Sequence, residues 1–123
     1  MPSMQEFISS CLVSASREIE RSRRAGLTIR AKGRNDMATS ADLASEKLVV
    51  SRIRRGYPDS TVLSEESYPQ ADLSADSLFV LDPIDGTHNF IQNIPLYGIS
   101  LAHYSGGRPT AGGIYLAPQP YSS

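Results

Sequence analysis

The chain has 123 residues, enough for one domain, and its 40% hydrophobic and 20% charged residues are typical of soluble globular proteins. The formal net charge of −1 argues against nucleic-acid or membrane partners held by bulk electrostatics. A single cysteine excludes an internal disulfide, and neither an apolar run of roughly 18 residues nor a signal peptide is visible, so we expect a cytoplasmic protein.

Apolar residues recur every three or four positions at the start of the chain, which predicts one face of a long helix. The face comprises Met4, Phe7, Ile8, Cys11, Leu12, Ala15 and Ile19. Arg21, Arg23 and Arg24 follow, then Gly26, and this order is typical of a helix end. Because Cys11 lies on the apolar face, we interpret it as a small core residue rather than a nucleophile.

The polar residues 28–42 include a glycine and predict an irregular connection. Thr39 and Asp42 at its end form the pattern of a capping box, with Asp in place of the usual Glu. A second helix is therefore predicted over residues 41–55. Its expected apolar face comprises Ala41, Ala44, Leu48, Val49 and Ile53.

Strands are predicted over residues 61–66 and 78–82, and a hairpin over residues 97–105 and 110–117 with its turn at 106–109. Helices that precede such strands indicate an α+β fold, with two N-terminal helices packed on a largely antiparallel sheet. A sheet of this kind is normally covered on both faces. Since no later helix follows, we expect the chain to be the N-terminal portion of a larger domain.

Acidic residues follow two of the predicted strands. Asp82 ends the apolar run Leu-Phe-Val-Leu, and Asp85 follows three residues later. Glu65 and Glu66 end the preceding strand in the same way. Because strand ends place side chains where a rigid scaffold meets a loop, we expect three or four of these carboxylates to lie close together.

Clustered carboxylates repel one another unless a cation compensates, and oxygen ligands select Mg²⁺, Mn²⁺ or Ca²⁺. Two such ions about 4 Å apart can clamp a phosphoryl displacement, and Asp82 has two oxygens with which to bridge them. The simpler interpretation is a solvated turn, since Asp-Gly is a common turn dipeptide. The spacing excludes an EF-hand calcium loop, because Ile84 and Gly86 stand where acids are required. It also excludes a DxDGT aspartyl-phosphate nucleophile, because Pro83 stands at the nucleophile position.

The segments VLSEES, residues 62–67, and DPIDGTHNF, residues 82–90, resemble motifs of the inositol monophosphatase family of lithium-sensitive, metal-dependent phosphatases. KGRNDMATSAD, residues 32–42, resembles the family segment in which a lysine precedes two aspartates, here Asp36 and Asp42. Residues 94–118 resemble the family's hairpin. The resemblance covers nearly the whole chain but only the N-terminal half of a usual member, and it implies part of a layered αβαβα fold.

The resemblance also implies roles for particular residues. Glu65, Asp82, Asp85 and the carbonyl group of Ile84 would bind two or three Mg²⁺ ions, with Mn²⁺ possible, and Asp82 would bridge two of them. Thr87 and Glu65 would orient the attacking water, and the Asp85–Thr87 stretch, including Gly86, would bind the substrate phosphate. The residues expected around this site are Glu66, Asp42 and Lys32.

The sequence departs from the family pattern in three places. Ser64 stands where the family usually has glycine, and His88 replaces a threonine of the signature. We interpret His88 as a surface or packing residue. The family's C-terminal Trp-Asp motif, which completes the second metal site, is absent from this chain, which has no tryptophan.

The resemblance implies a Mg²⁺-dependent phosphomonoesterase that hydrolyses a small phosphate monoester, such as inositol monophosphate, by metal-activated water. One alternative is a truncated, catalytically inactive metal-binding fragment. Another is a sister activity on nucleotide 3′-phosphate, fructose bisphosphate or histidinol phosphate. We expect a homodimer of the full-length parent and neither a nucleic-acid nor a membrane partner.

Overall fold

The computed structural model describes residues 2–33, 36–64, 67–85, 91 and 97–116, and within these ranges it describes only the backbone of residues 30–38 and 85. Within these ranges, two helices and six strands follow one another. In order they are α1 (Met4–Ala25), β1 (Ile29–Gly33), β2 (Asp36–Thr39), α2 (Ser40–Gly56), β3 (Thr61–Ser64), β4 (Leu78–Asp85), β5 (Gly98–Ser105) and β6 (Arg108–Leu116).

The first helix has the length and the buried face that the sequence predicts. It begins at a capping box in which the Ser3 hydroxyl accepts from the Glu6 amide, and it ends at Gly26, whose φ of 96° suits glycine. The buried side chains are Ile8, Cys11, Leu12, Ala15 and Ile19. Burial raises the pKa of the Cys11 thiol to about 11, which confirms Cys11 as an unreactive core residue.

The expectation of an irregular connection over residues 28–42 is wrong. The chain forms an antiparallel hairpin there, in which β1 pairs with β2 through Ile29–Thr39 and Arg30–Ala38. Polarity alone does not separate a loop from a short strand pair, and these two strands pair only with each other, outside the four-stranded sheet. Ile29 remains 48% exposed in this hairpin.

The second helix is predicted to within one residue at each end, but its buried face differs from the apolar pattern. Ala41, Val49 and Ile53 are buried as expected, whereas Ala44 and Leu48 are only half-buried. The helix also buries three polar residues, Asp42, Ser45 and Glu46. These polar residues lie in the N-terminal half of α2.

Four strands form one mixed sheet in the order β3-β4-β5-β6. β3 pairs with β4 in parallel, and the other two pairings are antiparallel, which confirms a largely antiparallel sheet. β4 is three residues longer than predicted, and β3 ends at Ser64, so that Glu65 and Glu66 lie outside the described residues. The hairpin turn is confirmed at Gly106 and Gly107, whose φ values are 56° and 82°.

Both helices pack on one face of this sheet, α2 against β4 and α1 against β5 and β6. A Cβ atom at Gly113 of β6 would lie 2.9 Å from Leu12 Cδ1, so glycine allows the close approach of α1. Phe79 of β4 is in contact with the rings of Phe7, Tyr57 and His103, at centroid distances of 5.9, 5.6 and 4.7 Å. This aromatic cluster joins both helices to the sheet.

A chain of hydrogen bonds surrounds the buried ring of His103. Thr110 Oγ1 donates to the His103 carbonyl oxygen at 3.2 Å, so it can only accept from Nδ1. Nε2 therefore accepts from Ser77 Oγ at 2.8 Å, and Ser77 Oγ accepts from Ser60 Oγ at 2.6 Å. The network satisfies the neutral ring, and burial lowers the pKa of His103 below its ordinary value of 6.5.

No helix in the described part of the chain is long and apolar enough to cross a membrane.

We expect the free energy of unfolding to fall as pH drops below 6.5. The unfolded chain then takes up a proton on His103 that the folded chain, with its lower pKa, does not bind. Urea denaturation between pH 7.5 and 5.5 measures this slope, and His103→Gln removes the titrating ring. An equally steep slope in His103→Gln would contradict the assignment to His103.

Candidate functional site

β3 and β4 run in the same direction, and acidic residues occur in the sequence at the C-terminal end of each. The two strands are parallel, and their register pairs Thr61 with Leu78 and Ser64 with Leu81. Ser64 precedes Glu65 in the sequence, and Leu81 precedes Asp82. The register therefore places Ser64 and Leu81, the two residues that precede these acids in the sequence, side by side, and Asp82 continues in β4 as the partner of Ser100.

β4 is irregular where its acids occur. Asp82 pairs with Ser100 and Asp85 pairs with Gly98, with a register shift between the two pairs. Pro83, which lacks an amide donor, lies within the shift, and such irregularities bend a strand and redirect its side chains. Asp82 is half-buried, and the two residues that follow it, Pro83 and Ile84, are buried. The carboxylate of Asp82 therefore lies next to a buried part of β4.

The first two turns of α2 face these strand ends with polar side chains. The Ser45 hydroxyl donates to the carbonyl oxygen of Pro83 at 3.3 Å. Glu46 is 4% exposed, and its Oε2 accepts from the Ser64 hydroxyl at 2.7 Å and from the Ser67 amide at 3.1 Å. Adjacent residues of one helix therefore contact both acidic segments.

Asp42 caps the N-terminus of the same helix. Its Oδ2 accepts from the Thr39 amide at 2.6 Å and from the Thr39 hydroxyl at 2.8 Å, and it is 1% exposed. Thr39 Oγ1 in turn accepts from the amides of Ala41 and Asp42. The predicted capping box is confirmed, while the predicted place of Asp42 beside a metal site stays a prediction.

Several predicted site residues lie outside the described residues, so the predicted cluster stays untested as a whole. They are Glu65, Glu66, Gly86, Thr87 and His88. For Lys32, Asp36 and Asp85 only the backbone is described. Within the described ranges no group of three or more His, Cys, Asp or Glu side chains could hold a metal ion. Asp82 and Ile84 are the expected metal ligands that the structure describes in full.

The sequence analysis missed Ser45 and Glu46. A signal for Glu46 is present, because it follows Asp42 by four residues and precedes Val49 by three, which places all three on one helix face. A charged residue on the apolar stripe of a helix is buried only with hydrogen-bond partners. The prediction of an all-apolar face overlooked that signal.

Comparison with known proteins agrees with the fold and the arrangement of motifs. Residues 3–121 match the model of the inositol monophosphatase family. The chain is 39% identical over 93 residues, which is 76% of its length, to the Nus factor SuhB of Pasteurella multocida.

Two solved structures show the same fold. The extragenic suppressor protein SuhB of Bartonella henselae matches with a TM-score of 0.82 and 30% identity over 89% of the chain. SaIMPase-II, an inositol monophosphatase of Staphylococcus aureus solved with inositol monophosphate bound, matches with a TM-score of 0.75 and 30% identity over 91% of the chain.

The chain spans only part of each of these proteins. It covers 35% of the Pasteurella relative, 43% of the Bartonella chain and 39% of SaIMPase-II.

We expect Thr39→Ala to lower the free energy of unfolding by about 1 kcal/mol, because it removes the capping hydroxyl at the N-terminus of α2. Thr39→Ser retains the hydroxyl and serves as the control. Urea denaturation of the three proteins measures the difference, and equal stability of Thr39→Ala and Thr39→Ser would show that the cap contributes nothing.

Proposed function

We propose, because this chain belongs to the inositol monophosphatase family, that it provides the ligands of the first metal site in a Mg²⁺-dependent phosphomonoesterase. The reaction is hydrolysis of a small phosphate monoester by water, with no covalent phosphoenzyme. The chain would be the N-terminal portion of the phosphatase domain, with the rest of the second metal site supplied from the remaining family fold. This portion alone covers about a third of its curated relatives.

The observation that carries this proposal is the parallel pairing of β3 and β4. Ser64 pairs with Leu81, and the residue that follows each of them in the sequence is an acid, Glu65 after Ser64 and Asp82 after Leu81. Strands about 4.8 Å apart place such neighbours within reach of one cation. The donors are all oxygens, which is the set that Mg²⁺ prefers.

In this proposal Glu65, Asp82, Asp85 and the carbonyl group of Ile84 hold the metal ions. A bound metal ion lowers the pKa of coordinated water and neutralises charge on the phosphate. The burial of Pro83 and Ile84 supports the assignment, since an apolar surround keeps the β4 backbone fixed at the ligands.

The other predicted residues act on water and substrate. Thr87, with Glu65, accepts a hydrogen bond from the attacking water and so orients it. The amides of Gly86 and Thr87 donate to the substrate phosphate. Glu66, Asp42 and Lys32 surround the ligands, and the buried hydrogen bonds of Asp42 to Thr39 support a positioning role for Asp42.

The substrate class follows from the ligands of a similar protein. SaIMPase-II has been solved with inositol monophosphate and with 2′AMP, both of which are phosphate monoesters. We therefore propose a soluble phosphate monoester as substrate, with inositol monophosphate as the first to test. The full-length parent would act as a homodimer in the cytoplasm.

A second candidate is a non-catalytic role. The curated relatives are named Nus factors rather than phosphatases, at 37–39% identity. In this case the chain would bind metal, or pair with another chain, without turnover.

We expect the full-length parent, which carries both halves of the domain, to release phosphate from inositol monophosphate only when Mg²⁺ is present. Asp82→Asn should reduce this release to background, since it removes a carboxylate that would hold the metal ions in this proposal. A phosphate-release assay with and without EDTA measures both effects.

Asp59→Asn is the matched control, because Asp59 is an exposed acid just before β3, at the opposite end of that strand from Glu65. Turnover that survives EDTA, or that is equal in Asp82→Asn, would rule out the proposed mechanism. Mg²⁺ binding by calorimetry without turnover would favour the non-catalytic role.

A further inference from the structure

The carboxyl group of Glu46 connects helix α2 to both sides of the Glu65–Glu66 pair. Oε2 accepts one hydrogen bond from the Ser64 hydroxyl, at 2.7 Å, and another from the Ser67 amide, at 3.1 Å. Ser64 immediately precedes the two acids in the sequence, and Ser67 immediately follows them. One buried oxygen therefore fixes the entry and the exit of the acidic segment.

Backbone hydrogen bonds close the same segment. The Ser64 amide donates to the Tyr68 carbonyl oxygen at 2.7 Å, and the Tyr68 amide donates back to Ser64 at 2.9 Å. Arg54 of α2 also lies over the Tyr68 ring, 6.0 Å from its centroid. The two ends of the 64–68 segment are thus held to each other and to α2.

The neighbouring residue on the helix holds the other acidic strand. Ser45 donates to the carbonyl oxygen of Pro83, which stands between Asp82 and Ile84. Because Ser45 and Glu46 are consecutive in one helical turn, the helix sets the distance between the end of β4 and the 64–68 segment. Both contacts are buried, where a hydrogen bond is costly to lose.

We infer that Glu46 is a positioning residue for the metal site. It holds Ser64 and Ser67, the residues on either side of Glu65 and Glu66 in the sequence, while its neighbour Ser45 holds Pro83 next to Asp82. Glu46 touches neither substrate nor reacting atoms in this role. The inference rests on the proposed function, since it gives Glu46 an effect on metal affinity, but the hydrogen bonds that carry it are independent of any metal.

Three substitutions test the inference. Glu46→Leu keeps much of the side-chain volume and removes the acceptor, whereas Glu46→Gln keeps an amide oxygen that can accept from both donors. Ile53→Val is the control, because Ile53 is fully buried on the same helix but lies about two turns beyond Glu46. It lowers stability without touching the acidic segment.

Two measurements are made on each protein. Calorimetric titration with Mg²⁺ alone gives the affinity, and amide hydrogen exchange of Ser67 without metal reports the hydrogen bond directly. We expect Glu46→Leu to weaken Mg²⁺ binding by about 10- to 100-fold, as for other residues that orient metal ligands. Its Ser67 amide should lose protection, while Glu46→Gln and Ile53→Val should stay close to the wild-type protein in both measurements.

Wild-type Mg²⁺ affinity in Glu46→Leu, or an equal loss of affinity in Ile53→Val, would overturn the inference. If Glu46→Leu does not fold, Ser64→Ala removes one of the two donors, and an unchanged affinity in that variant would overturn it as well. A wild-type protein that binds no Mg²⁺ would refute the proposed function. Faster exchange of Ser67 in Glu46→Leu would then show that Glu46 has only a structural role.

Discussion

Buried hydrogen bonds between α2 and two parallel strands constrain the described part of the candidate site. A carboxyl group and a hydroxyl group lose their water when a helix packs on a sheet, so each requires a partner in the interior. The Ser45 hydroxyl donates to the Pro83 carbonyl oxygen, and the Glu46 carboxylate accepts from the Ser64 hydroxyl and the Ser67 amide. These bonds can form only if α2, β3 and β4 keep one mutual position, so the polar contacts specify a geometry that apolar packing alone leaves freer.

The elements with an apolar face could be predicted from the sequence. The 3.6-residue period of α1 locates its buried face from Ile8 to Ile19, and the glycine after its basic end locates its last turn. The apolar run of β4 and the two glycines of the β5–β6 turn are equally direct signals. In each case the local sequence pattern and the tertiary packing require the same structure.

The parts that could not be predicted depend on partners that are distant in sequence. The strands of the β1–β2 hairpin are short, rich in polar residues and defined by pairing with each other. Glu46 and its acceptor role depend on Ser64 and Ser67, which lie 18 and 21 residues away. The resemblance to a known family predicts the acids of the candidate site, and that prediction stays untested, but it gave no reason for the polar face of α2. That reason is visible only when the helix and the strand ends are seen together.

Electrostatics explains why a site of this kind needs such a support. Carboxylates gathered around one position repel each other, and flexible segments would relieve the repulsion by moving apart. Next to Asp82, such movement is resisted because Pro83 and Ile84 are buried and the Ser45 hydroxyl donates a hydrogen bond to the carbonyl oxygen of Pro83. After β3, movement is resisted by the backbone hydrogen bonds between Ser64 and Tyr68 and by the Glu46 carboxylate, which accepts hydrogen bonds from Ser64 and Ser67. In the proposed site, a support of this kind would be present before any cation binds, so less ordering would accompany binding and more of the interaction free energy would appear as affinity for the cation.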